Sequence, residues 1–191
     1  PYVRVWCTTA YSLALLEADG DALRLAPHVD ALLADARHPR YLGGYVQLGT
    51  QFATEDHRAA VDGLRSGGRV PFQGRSESFA EVIAQALSGV NLMVARKVLP
   101  SIAPLAEVLN RGGTLLEVGC GTGRMQLQLT RAFPGANCIG IDIDPTGLAA
   151  ARRAVAEAGL QGRVHIVEGD VATAVPPLSF TTVLTRVSVG A

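Results

Sequence analysis

Glu117-Val118-Gly119-Cys120-Gly121-Thr122-Gly123 interrupts the apolar run Thr114-Leu115-Leu116 and leads into a helical pattern from about Met125. A strand that breaks into three glycines at alternate positions and then opens a helix predicts a ligand-binding turn. Glycine permits φ > 0 and removes the side chains that would block a ligand's approach. The helix that follows offers unpaired N–H groups and the positive end of its dipole to an anionic group.

The spacing reads G-x-G-x-G. A dinucleotide-binding turn reads G-x-G-x-x-G, and its third glycine would fall where Arg124 stands. Two further stretches join the first. Cys138-Ile139-Gly140-Ile141-Asp142 reads as a second buried strand with an acid at its carboxyl end, and Val164-His165-Ile166-Val167-Glu168-Gly169-Asp170 reads as a third. Ligand-type residues at the carboxyl ends of several strands fit the crevice rule for open α/β sheets. Asp144 precedes Pro145 at a helix start and is expected to be an N-cap.

Residues 117–171 resemble the cofactor half of a class I S-adenosylmethionine-dependent methyltransferase. In that family the glycine loop lies against the methionyl part of the cofactor, the acid after the second strand takes the ribose hydroxyls, and the acid after the third takes the adenine amino group. On matching positions the resemblance implies Gly119, Gly121 and Gly123, then Asp142, then Asp170, with Cys120, Ile143 and Val171 beside them. Glu117 matches the acid that opens the family's glycine motif and helps place the cofactor's ammonium group. Carboxylates suit a vicinal diol or an exocyclic amine, because each offers two acceptor oxygens. The implied cofactor is S-adenosyl-L-methionine.

The chain of 191 residues is 48% apolar and carries seventeen basic and seventeen acidic side chains. Zero formal charge argues against a nucleic-acid footprint, and no apolar run is long enough to span a membrane. Cys7, Cys120 and Cys138 are odd in number and unpatterned, which points to a reducing cytoplasm rather than a disulfide framework. His28, His38, His57 and His165 lack metal-ligand spacing, so no metal is expected.

Ahead of the glycine motif, residues 2–18 carry apolar side chains at helical intervals, Asp19-Gly20 signals a turn, and Leu23-Arg24-Leu25 alternates like a short strand. This order resembles the latter part of a winged-helix module. Arg4 is the only basic residue of the would-be groove helix, so pairing with a second copy of the chain is expected rather than DNA binding. Small-molecule O-methyltransferases combine such a dimerisation domain with helices that pass over the substrate cleft. Residues 41–64 and 78–99 read as two of these helices, with a Gly/Ser/Arg-rich linker at 65–75 between them. Ser78 and Glu81 have capping-box spacing, followed by Phe79, Val82, Ile83, Ala86 and Leu87. Pro100 is expected to end that helix, and Gly112-Gly113 to stop a short one over 102–110.

A fourth strand is expected over residues 180–187, after Pro176-Pro177. The expected fold class is α/β: the first four strands of a Rossmann-like methyltransferase sheet, preceded by a mainly helical, partial winged-helix domain. The division is 1–75 for the dimerisation region and linker, and 76–191 for the cofactor domain. Pro1 opens within a helical pattern and Gly190-Ala191 follows the fourth strand directly, so the chain reads as cut at both ends. The expected function is methyl transfer to a small-molecule acceptor, at oxygen, by a homodimer. A nicotinamide-dependent oxidoreductase and a winged-helix DNA-binding regulator are the alternatives. No residue qualifies as a general base.

Overall fold

The computed structural model describes residues 1–173 and 182–185. Helix α1 (Tyr2–Ser12) stops short of the expected Ala18, because Ala14 takes φ 56° and turns the chain into a hairpin. Strands β1 (Leu16–Asp19) and β2 (Ala22–Leu25) pair antiparallel. Leu16 and Ala18 stand opposite Leu25 and Leu23, and Glu17 forms an ion pair with Arg24 across the ladder. The alternation of 16–18 thus belongs to a cross-strand pattern rather than to the end of the helix.

After α2 (Val29–Leu33), the helix expected over 41–64 is two: α3 (Gly43–Gln51) and α4 (Ala53–Ser66). Phe52 breaks it at φ −117°, and its ring packs edge-on against Phe79 with centroids 5.1 Å apart. Tertiary packing of one aromatic ring has won over helical continuity.

The next helix also differs from expectation. Helix α5 (Glu77–Ala86) is capped by Ser76, whose Oγ accepts the Phe79 N–H at 3.2 Å. Ser78 instead lies in the first turn, and Glu81 is engaged with Arg124 and Gln85. Helix α6 (Ser88–Met93), a π-helical turn (Val94–Val98) and α7 (Leu99–Ser101) continue at 49° to α5. Pro100 does not end this run. It sits in α7, directly after the π-helical turn, and the chain leaves at Ile102. Helix α8 (Ala103–Asn110) stops as expected at Gly112 and Gly113. Among the described residues no single helix is long and apolar enough to cross a membrane.

The second half alternates β3 (Thr114–Val118), α9 (Arg124–Ala132), β4 (Asn137–Asp142), α10 (Pro145–Glu157), β5 (Val164–Glu168) and β6 (Thr182–Thr185). All pairings in this sheet are parallel, in the order β5-β4-β3-β6. Among the described residues, helices α8, α9 and α10 pack on one face of the sheet. Leu115 and Cys138 point into one core with Met125, Leu129, Phe133 and Val155, while Leu116, Ile139 and Ile141 point into the other. Pro176, Pro177, Phe180, Val187 and Ser188 to Ala191 lie outside the described residues. Helices α3 and α5 pack closely: a side chain on Gly44 of α3 would meet the Ala86 backbone nitrogen of α5 at 2.3 Å.

Candidate functional site

Parallel strands in register bring the carboxyl ends of β3, β4 and β5 side by side, and their loops bond to one another. After β3, the N–H groups of Gly119 and Cys120 both donate to the Ile141 carbonyl, at 2.8 and 3.1 Å. The Gly121 N–H donates to Asp142 Oδ2 at 2.7 Å, and Asp142 Oδ1 accepts the Asp144 N–H at 2.9 Å. Asp144 caps α10 as expected, its Oδ2 accepting the Gly147 N–H at 3.2 Å. Its Oδ1 also accepts the N–H of Gly74, seventy residues away, at 3.3 Å. After β5, Gly169 donates to the Asp142 carbonyl at 2.9 Å, and Asp170 Oδ1 accepts the Ala172 N–H at 2.9 Å.

These loops form the floor of a cavity of about 490 Å³. Seven of the nine residues singled out from the sequence line it: Gly119, Cys120, Gly121, Asp142, Ile143, Asp170 and Val171. Gly123 and Glu117 stand behind. Gly123 is the N-cap of α9 at φ 72°, and a Cβ there would come within 3.0 Å of the Ala151 Cβ. Glu117 is fully buried and accepts a hydrogen bond from Gln126 Nε2 at 2.6 Å. That amide occupies the space a side chain at Gly140 would need, since a Cβ there would lie 2.6 Å from Gln126 Nε2. Burial, followed by the nearby Glu117 carboxylate, pushes the Cys138 thiol up to about 12.

The roof escaped residue-level assignment. Tyr45 and Leu48 of α3, Phe79, Ile83 and Leu87 from the α5 region, and Asn91 of α6 complete the cavity, with Phe72 and Arg75 at its side. The Arg75 guanidinium lies 3.6 Å from the centre of the Phe79 ring and pairs with Asp56 at 2.8 Å. The apolar periodicity of α5 was legible, and so was the passage of helices over a cleft. Which residues face inward depends on the break at Phe52 and the bend at Leu87. Among the described residues no group of three or more His, Cys, Asp or Glu could hold a metal ion.

The donor set fits an adenosine-bearing ligand. Carboxylates at Asp142 and Asp170 alternate with the apolar side chains of Ile143 and Val171, so polar edges and a flat ring face can be met together.

Residues 115–189 match a family model described as a methyltransferase domain. The ribosomal protein uL3 glutamine methyltransferase of Bordetella pertussis is 28% identical over 109 residues, 51% of this chain and 37% of that protein. The apo structure of the S-adenosylmethionine-dependent methyltransferase SibL is 23% identical and superposes with TM-score 0.60, over 97% of this chain and 56% of that one. Human N-acetylserotonin methyltransferase, solved with S-adenosylmethionine, is 20% identical with TM-score 0.62, over 92% of this chain and 52% of that one. The chain therefore spans about half the length of these solved proteins. It has the fold of the class I S-adenosylmethionine-dependent methyltransferases, and its second half matches a methyltransferase domain.

Proposed function

We propose that this chain is the cofactor-binding and cleft-forming part of an enzyme that methylates a small-molecule acceptor, at oxygen. One observation carries the reading: the glycine loop, Asp142 and Asp170 meet on one wall of a single cavity whose opposite wall is largely apolar helix. Such a wall favours a compact apolar acceptor over a charged polymer. The likeness to solved methyltransferases, over 97% of this chain and 56% of SibL, supports the fold on which this reading rests.

In this reading Asp142 takes the ribose hydroxyls, Asp170 takes the adenine amino group, and Ile143 and Val171 cover the ring. Gly119, Cys120 and Gly121 bring backbone close to the methionyl part. Glu117 and Gly123 act from behind, Glu117 with its charge near the ammonium and Gly123 by seating α9. The cofactor supplies an electrophilic methyl group; the chain's residues bind, orient and exclude water, which accounts for much of the acceleration in such reactions. Residues 1–75 serve dimerisation and form a linker, and residues 76–191 serve the cofactor. A second copy would cover α1, where Tyr2 is 90% and Trp6 61% exposed. Light scattering tests this, and a monomer at micromolar concentration would count against it.

Calorimetric titration with S-adenosylhomocysteine and with NADH tests the cofactor assignment, binding of the first alone being expected. Radiolabelled methyl transfer by the complete enzyme to a panel of hydroxylated small molecules tests the acceptor class. Transfer to RNA or to protein glutamine instead would overturn it.

A further inference from the structure

Ion pairs at the rim of the cavity tie its roof to its floor. Glu77 and Glu81 lie one turn apart on α5 and project from the same side of it. Glu81 pairs with Arg124 at 2.7 Å, and Glu77 pairs with Arg153. Arg124 is the first residue of α9, directly after the glycine loop, and Arg153 belongs to α10, which follows Asp142. The two acids therefore reach the two helices that leave the two cofactor loops. Three residues before Glu77, the Gly74 N–H adds a third tie, to Asp144. The neighbouring stripe of α5, Phe79, Ala80 and Ile83, faces the cavity. The four charged side chains are between 40% and 64% exposed, so dissolved salt reaches them.

We propose that Glu77 and Glu81 are positioning residues that latch the roof helix α5 over bound cofactor, so that cofactor release requires these pairs to break. The inference rests on the S-adenosylmethionine reading above. Neither acid need touch the ligand: Glu77 and Glu81 act by fixing where Phe79 and Ile83 stand relative to the glycine loop. Two exposed pairs acting together are expected to change a dissociation rate by about threefold to tenfold.

Surface plasmon resonance on the immobilised full chain, with S-adenosylhomocysteine as probe, tests the latch at low and high salt. Wild-type release is expected to accelerate with salt. The Glu77→Gln/Glu81→Gln variant should release the probe about threefold to tenfold faster at low salt and lose most of the salt dependence, with its thermal midpoint near wild type. Exchanging one pair, Glu77→Arg with Arg153→Glu, should restore slow release that Glu77→Arg alone abolishes. Wild-type binding with unchanged kinetics in the variants overturns the latch alone. Faster release that tracks lost thermal stability and is not rescued by the exchange also overturns it. No probe binding by the wild type overturns the cofactor reading, and the latch with it.

Discussion

The Asp142 carboxylate accepts the Gly121 N–H at 2.7 Å, locking the acid that closes β4 to the middle glycine of the loop that follows β3. Its second oxygen holds the Asp144 N–H, so this side chain organises two loops besides facing the cavity. Asp142→Ala should weaken S-adenosylhomocysteine binding by about ten- to a hundredfold, the worth of a charge-assisted hydrogen bond. Asp142→Asn keeps an oxygen for Gly121 and should lose less. Calorimetry giving equal losses for the two variants would mean that charge, rather than loop order, sets the affinity.

Asp144 joins a helix cap to a long-range contact. Asp144→Ala removes the acceptor for Gly147 and also that for Gly74. Loss of a cap of this kind costs about 1 kcal/mol. Urea unfolding should report that loss, and proteolysis should find the segment before α5 more readily cut. An unchanged midpoint would show that neither bond matters.

Gly140 has no room for a methyl group. Gly140→Ala would drive a Cβ to 2.6 Å from Gln126 Nε2 and 2.8 Å from the Cys120 Cβ. Overpacking of this kind costs about 1–3 kcal/mol. It should also displace the amide that holds Glu117, so denaturation and cofactor titration should both register it.

Cys138 should resist alkylation in the native chain. Its thiol is pushed up to about 12 from an ordinary value of 9.0, so the reactive thiolate is scarce in the folded state well above neutral pH. The sign for stability follows: between those two values the unfolded chain has released this proton while the folded chain keeps it. The site's contribution is therefore complete below about pH 9 and is lost as pH rises toward 12. Mass spectrometry after iodoacetamide treatment at mildly alkaline pH should find half-buried Cys7 modified and Cys138 untouched. Labelling of Cys138 at the same rate as Cys7 would contradict its placement in the core.

What was legible in the sequence was local in origin. Alternate glycines between an apolar run and a helix pattern, acids closing two further apolar runs, and Asp144 before Pro145 depend on neighbours within a few residues, so strand, turn and cap follow from steric and hydrogen-bonding rules. Other features depended on partners distant in the chain. The helix over 41–64 breaks at Phe52 because that ring packs on Phe79, and α5 begins at Ser76 rather than Ser78 while Glu81 turns toward Arg124. Glu117 is wholly buried and accepts a hydrogen bond from Gln126, a contact that its immediate neighbours do not reveal. The cavity roof joins Tyr45, Phe79 and Asn91, whose common facing is set by two helix breaks rather than by any short spacing. The sequence by itself determined the α/β class of the second half and the loops that form the cavity floor, because turns, caps and strand ends are short-range events. Only the tertiary structure decided the roof, the ties across it and the burial of Glu117, because those contacts depend on packing between segments tens of residues apart.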